Sequence, residues 1–291
     1  LLQALSDKIV ASSLACGGSA ANSIIAAQYF GSQTYFSCQV ANDEHGKFYA
    51  EDLMRAGVST QALTDARSGT TGKCLVMITP DAERTMNTHL GISETLSIEN
   101  IDEDALKASD TVYIEGYLVT SATGKPAAIK MRELAQNAGK KVAVSLSDPA
   151  IVNFFREGLL EIIGEQVDMI FCNQAEALNF TQCDNLEAAA DSLKAYSRRF
   201  AITRGSEPTL LYDGEKYCLI DTMPVKAIDT NGAGDMFAGA FLAAVDQGRA
   251  LPDAAAFANR AAAMVVSQFG PRLSAEQYEQ LRAEMGPALE D

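Results

Sequence analysis

Asp229-Thr230-Asn231-Gly232-Ala233-Gly234-Asp235 runs directly into Met236-Phe237-Ala238-Gly239-Ala240-Phe241-Leu242, a tight turn of small residues opening onto an apolar run of helical character. Small residues at Gly232, Ala233 and Gly234 leave backbone N–H groups bare at a helix start, where the helix dipole also favours negative charge. The turn therefore reads as an anion hole. An acid at its mouth, Asp235, opposes anion binding unless it has a task. The task that fits is to accept the proton of an attacking hydroxyl while the N–H groups stabilise charge on a transferring phosphoryl group. Taken alone, the segment reads first as a glycine turn with Asp229 or Asp235 capping the helix.

Two further segments bear on that choice. Cys16-Gly17-Gly18-Ser19-Ala20-Ala21-Asn22 is a second double glycine opening onto a helix. Gly17 and Gly18 permit close approach of a ligand to the backbone, and Asn22, one turn in, offers a donor and an acceptor to vicinal hydroxyls. Asn173-Gln174-Ala175-Glu176 follows the apolar run Asp168–Cys172. Polar groups after a parallel strand stand where open α/β sheets place ligands. Asn173 and Glu176, three apart, suit a water-mediated hold on Mg2+, which keeps most of its own waters. A helix-capping pair is the alternative for each.

Working outward, apolar stretches of strand length (Thr34–Val40, Thr111–Glu115, Lys141–Leu146, Asp168–Cys172, Phe200–Thr203) alternate with amphipathic stretches of helical length. The helical stretches are Ala20–Phe30, Lys47–Ala56, Pro126–Ala138, Leu186–Tyr196, Gly234–Gln247 and Pro252–Gln268. That alternation predicts crossover βαβ units around a mainly parallel sheet, in one main α/β domain over residues 1–291. Lys73–Thr79 and Arg84–Leu90, joined through Pro80, read as a hairpin inserted at about residues 70–92, either a lid over a ligand or an antiparallel edge extension. A second hairpin is expected where Thr209–Asp213 and Lys216–Asp221 flank Gly214-Glu215.

The net charge of −15 argues against general nucleic-acid binding or adhesion to an anionic membrane. No apolar run reaches the roughly 20 residues that span a bilayer. Leu1–Val10 shows no basic segment leading into an apolar one, and six scattered cysteines without metal-ligand spacing read as reduced thiols, so a cytoplasmic location is expected. A nicotinamide fingerprint and a P-loop are both missing, and His45 and His89, the only histidines, stand in no hydrolase arrangement.

Together the segments Gly17–Asn22, Asn173–Glu176 and Asp229–Phe237, in that order, resemble the PfkB, or ribokinase-like, family of carbohydrate and nucleoside kinases. The resemblance implies a Rossmann-like three-layer α/β/α sandwich with a small β lid, a small-molecule acceptor, ATP and Mg2+. It implies Asp235 as base, the Gly232–Gly234 backbone as anion hole, and Asn173 and Glu176 organising magnesium and phosphate. By the same resemblance Thr203-Arg204-Gly205 borders the ATP phosphates and Asn259 lies near the adenine or its ribose. Asp229 and Asn231 stand where many members bind a monovalent cation such as K+ through backbone carbonyls. The runs Thr79–Thr88 and Tyr113–Leu118 are most similar to bacterial adenosine-kinase-like members, with Arg84 as a phosphate-facing cation from the lid. That likeness points to a nucleoside 5′-hydroxyl as acceptor, with a sugar of the ribose or fructose type as the runner-up and a catalytically silent sensor as the alternative from another class. Whether the lids pair into a homodimer is left open. The family opens with a strand carrying G-N-x-x-x-D, whose Asp grips substrate hydroxyls. No such pattern precedes Gly17, and we expect that strand upstream of Leu1.

Overall fold

The computed structural model describes residues 15–64, 67–78 and 84–286, except the side chains of Ile78 and Arg84. Helices α1 (Ser19–Tyr29) and α2 (Glu44–Arg55) come first, followed by a two-stranded antiparallel sheet of β1 (Lys73–Ile78) and β2 (Arg84–His89). Among the described residues the main sheet has six strands in sequential order: β3 (Thr111–Glu115), β4 (Lys141–Ser145), β5 (Met169–Asn173), β6 (Phe200–Arg204), β7 (Glu207–Tyr212) and β8 (Tyr217–Ile220). Strands β3 to β6 are parallel, and the β7–β8 hairpin continues the sheet antiparallel.

Side-chain alternation within the strands sorts the core into two layers. Met169, Phe171, Ala201 and Leu211 face one layer, built on α1 and on the late helices α8 (Ala233–Asp246), α9 (Leu251–Val266) and α10 (Ala275–Met285). Their neighbours Ile170, Cys172, Phe200, Ile202 and Leu210 face the other, built on α4 (Gly124–Asn137), α5 (Pro149–Ile163), α6 (Gln174–Thr181) and α7 (Leu186–Leu193), with the short α3 (Glu103–Ala108) at its margin. A strand buried on both faces reads as an unbroken apolar run, which is why the parallel strands were legible. The three-layer arrangement and the small separate sheet are those expected.

Three expectations need correction. Among the described residues Thr34–Val40 forms no strand of the sheet and pairs through isolated bridges, Tyr35 with Ser59 and Ala41, just beyond it, with Arg67. Its apolar residues serve instead to pack Phe36, Cys38 and Val40 against α2. Helix α5 was not foreseen although Asp148 caps it and Pro149 opens it, the usual start signals. The amphipathic run thought to begin at Lys47 begins at Glu44, because Asp43 accepts from Gly46 N and caps the helix three residues earlier. The turn around Pro80 of the inserted hairpin lies outside the described residues.

Parallel register brings the C-terminal ends of the strands to one edge. Glu115 pairs with Ser145, and Asn173 with Thr203. The N-terminus of α1 and that of α8 meet over this edge. They approach closely because a Cβ on Gly239 would stand 2.3 Å from the Ser23 carbonyl oxygen and 2.8 Å from Ala26 Cβ. Only glycine allows the two helix backbones to touch in this way.

Candidate active site

Gly232 caps α8 in the left-handed region, at φ 76, and a Cβ there would lie 2.6 Å from Pro271 Cβ. Conformation and space both call for glycine. Next to it Gly234 is exposed, and a Cβ would meet nothing within 4 Å, so the helix start opens onto free space. Ala233 N–H donates to Thr230 O at 3.4 Å, while the N–H groups of Gly234 and Asp235 have no preceding helical carbonyl to bond and are left for a ligand. Asp235 follows on the same turn.

The Asp235 carboxylate is held from α1. Ser19 Oγ donates to Oδ1 at 2.5 Å and Asn22 Nδ2 donates to Oδ2 at 2.8 Å. Burial pushes its pKa up, and the two donors together with the Arg272 charge oppose that push. Asn22 is buried and bridges: its Oδ1 accepts from Arg272 Nε at 3.0 Å, and Arg272 Nη1 donates to Asp52 Oδ2 at 2.6 Å. Arg272 follows directly on Gly270, whose N–H donates to Asp229 Oδ2 at 3.0 Å, and Pro271, which fills the space beside Gly232. Asp229 Oδ1 also accepts from Asn231 N at 2.9 Å, so this side chain shapes the turn from within.

A second carboxyl group sits beside the first. Glu115, at the end of β3, accepts from Ala20 N through Oε2 at 2.8 Å, while its Oε1 is sealed from solvent with no hydrogen-bond partner. Burial, then the neighbouring Asp235 charge, pushes the Glu115 pKa up to about 8. A proton on Glu115 at neutral pH lets two carboxyl groups share one site with a single negative charge. Tyr117 marks how the acids converge. Burial, followed by the charges of Asp148, Glu115, Asp235 and Glu176, pushes the pKa of its phenol up.

Asn173 and Glu176 form a reciprocal capping box at the start of α6. Glu176 N donates to Asn173 Oδ1 at 2.9 Å, Asn173 N to Glu176 Oε2 at 3.0 Å, and Asn173 Nδ2 to Glu176 Oε1 at 2.5 Å. Burial moves the Glu176 pKa up to about 7, with Asp148 adding to it. Thr203 stands beside Asn173 on β6, with its hydroxyl donating to Cys172 O at 3.5 Å, and Gly205 has open space around it in the left-handed region. Asn259 is buried with its amide fully engaged: Oδ1 accepts from Thr209 at 2.8 Å and Nδ2 donates to the carbonyls of Ile220 and Asp221, each at 3.1 Å. It ties α9 to the β7–β8 hairpin. The Arg84 side chain lies outside the described residues. Among the described residues no group of three or more His, Cys, Asp or Glu side chains is placed to hold a metal ion, and no helix is long and apolar enough to cross a membrane.

The structure thus joins Gly17–Asn22 to Asp235 by direct hydrogen bonds and sets Asn173 and Thr203 side by side. Ser19, Glu115 and Arg272 were not singled out in the sequence. Ser19 stood inside a recognised segment as a spacer, Glu115 ended a run noticed for other reasons, and Arg272 carries no local signal.

The model for the family described as pfkB family carbohydrate kinase matches residues 5–277. Adenosine kinase of Saccharomyces cerevisiae is 28% identical over 295 residues, covering 95% of this chain and 84% of the yeast protein. A solved structure from Rhizobium etli CFN 42, named "probable sugar kinase protein", superposes with a TM-score of 0.90 at 29% identity, over 98% of this chain and 87% of that one. Adenosine kinase from Sinorhizobium meliloti gives 0.88 at 29% identity, over 96% and 86%.

Proposed function

The chain belongs to the pfkB family of carbohydrate kinases, and from that premise we propose that it transfers the γ-phosphoryl group of ATP to the 5′-hydroxyl of an adenosine-like nucleoside, with Asp235 as base. The single observation that carries this reading is the Asp235 carboxylate, oriented by Ser19 and Asn22 on one side and set on the first turn of α8 beside open backbone N–H groups on the other. The acceptor hydroxyl gives its proton to Asp235 as its oxygen attacks, and the Gly232–Gly234 amides take up charge on the transferring group. The raised pKa of Asp235 strengthens it as a base.

Mg2+ supplies charge neutralisation along the triphosphate. The donor set fits a hydrated ion: Glu176 accepts from Asn173 through both oxygens and keeps further lone pairs for coordinated water. Thr203 and Gly205 border the phosphates in this reading, and the β1–β2 sheet serves as the lid, with Arg84 as its cation. Asn259 acts on the adenine side through the hairpin that it holds. Backbone carbonyls near Asp229 and Asn231 are the place for K+.

The likeness to the R. etli protein supports a sugar acceptor as the second reading. Purified protein with ATP, Mg2+ and a panel of nucleosides and sugars, assayed for ADP release, separates the two. Asp235→Asn is expected to lower turnover by roughly 10²- to 10⁴-fold without loss of fold, the usual worth of a positioned base. Turnover within a few-fold of the parent excludes Asp235 as base, and binding without turnover across the panel identifies a sensor.

A further inference from the structure

Within the kinase reading, on which this inference rests, the Asp235 carboxylate depends on the direction in which the Asn22 amide points. An amide side chain presents either its oxygen or its NH2 group to a neighbour, and the two differ by a half-turn of the group. At Asn22 the choice is dictated by Arg272. The guanidinium donates and never accepts, so Asn22 Oδ1 must face Arg272 Nε, 3.0 Å away. Nδ2 is then the atom turned toward Asp235 Oδ2, at 2.8 Å. Arg272 is itself fixed at its far end by Asp52 Oδ2, 2.6 Å away, in a part-buried pair on α2. Its own main chain is fixed by the Gly270–Asp229 hydrogen bond and by Pro271 packed on Gly232. One short segment between α9 and α10 therefore braces the glycine turn and, through Asn22, the acid that follows it.

We propose that Arg272 is a positioning residue that locks the Asn22 amide with its N–H toward Asp235, so that the carboxylate keeps one orientation through the reaction. Without the guanidinium the amide oxygen loses its donor, and the bond to the carboxylate alone is left to hold the Asn22 amide in place. Arg272 also brings the cation that offsets the charges around this point. Ser19 and Asn22 from α1 bond Asp235, and the groups that interact with it electrostatically are Tyr113 and Glu115 from β3, Tyr117 from the turn after it, and Arg272 with Asp52 behind it. Arg272 is the one cation in that set.

The test compares Arg272→Met and Arg272→Lys with the parent. Arg272→Met removes the donors and the charge. It is expected to lower kcat about tenfold or more, with the KM for ATP unchanged within about twofold, and to move the acid limb of the kcat–pH profile up by about one unit as Asp235 loses a donor and a cation. Arg272→Lys keeps the charge but cannot bond Asn22 and Asp52 together, so the limb stays near its place while kcat remains several-fold low. The lysine variant also answers if the methionine variant fails to fold. A purely structural role would lower thermal stability and leave the acid limb unmoved. A 13C titration of the Asp235 carboxyl in parent and variants reads the same shift without turnover. If the parent transfers phosphate to no acceptor, the kinase reading fails while this titration still decides the role of Arg272. An unmoved Asp235 titration in Arg272→Met, or kcat within twofold of the parent in both variants, overturns the proposal.

Discussion

Replacing Glu115 by Gln keeps the shape of the side chain and deletes one ionisation, which makes stability against pH a direct reading of the buried acid. In the folded chain Glu115 is pushed from 4.5 up to about 8 by burial and by Asp235. Between those values the folded state holds a proton that the unfolded state has released. Stability therefore falls as pH rises through that window, and the loss is complete above the folded pKa. The full shift sets a ceiling of roughly 5 kcal/mol at about 1.4 kcal/mol per unit. Water penetration and relaxation around the ionised form bring the expected value nearer 2 kcal/mol, in keeping with effective interior dielectrics of about 20. Urea unfolding of parent and Glu115→Gln at pH 5, 7 and 9 measures it. The two proteins are expected to match at pH 5, and the variant is expected to exceed the parent by about 2 kcal/mol at pH 9. Curves that stay parallel across the range would refute the claim that Glu115 sits protonated beside an ionised Asp235.

Three further outcomes are expected. Gly239→Ala forces α1 and α8 apart, since the new Cβ meets the Ser23 carbonyl oxygen; it is expected to cost about 1–3 kcal/mol in urea unfolding, and to lower turnover as well because α1 carries Ser19 and Asn22. Asn259→Ala strips partners from Thr209 and from the carbonyls of Ile220 and Asp221, and a loss of about 2–3 kcal/mol in unfolding free energy follows from leaving buried groups unpaired. A raised KM for ATP with unchanged stability would instead give Asn259 a ligand role alone. Glu176→Gln removes a group whose pKa moves from 4.5 to about 7. The parent's loss of stability between those pH values is expected to disappear in the variant, and the Mg2+ concentration for half-maximal rate to rise several-fold.

What was legible in the sequence followed from residues whose reasons are local. Gly232 needs its conformation, Asp235 stands where an acid is unfavourable without a task, and β5 is apolar on both faces because helices cover both. Their order along the chain also allowed the Gly17–Asn22 segment to be placed in the same site as Asp235, and Ser19 and Asn22 hydrogen-bond to that carboxylate. Glu115, in contrast, matters because of what it lies next to in space, 120 positions before Asp235, and nothing in its neighbours along the chain reports that. Arg272 is a lone cation after a proline in a connecting loop, a pattern indistinguishable from an ordinary surface residue. Thr34–Val40 failed in the opposite direction, since β-type composition says that a stretch packs well on one side and not that partner strands will flank it.

The bond from Ser19 to Asp235 joins positions 216 apart. A polypeptide leaving the ribosome has α1 long before α8, so every truncated product ending ahead of α8 lacks the carboxylate that Ser19 and Asn22 hold. Such a molecule closes this constellation only late in its synthesis, and two separately expressed fragments split between β8 and α8 would rebuild it only by finding each other.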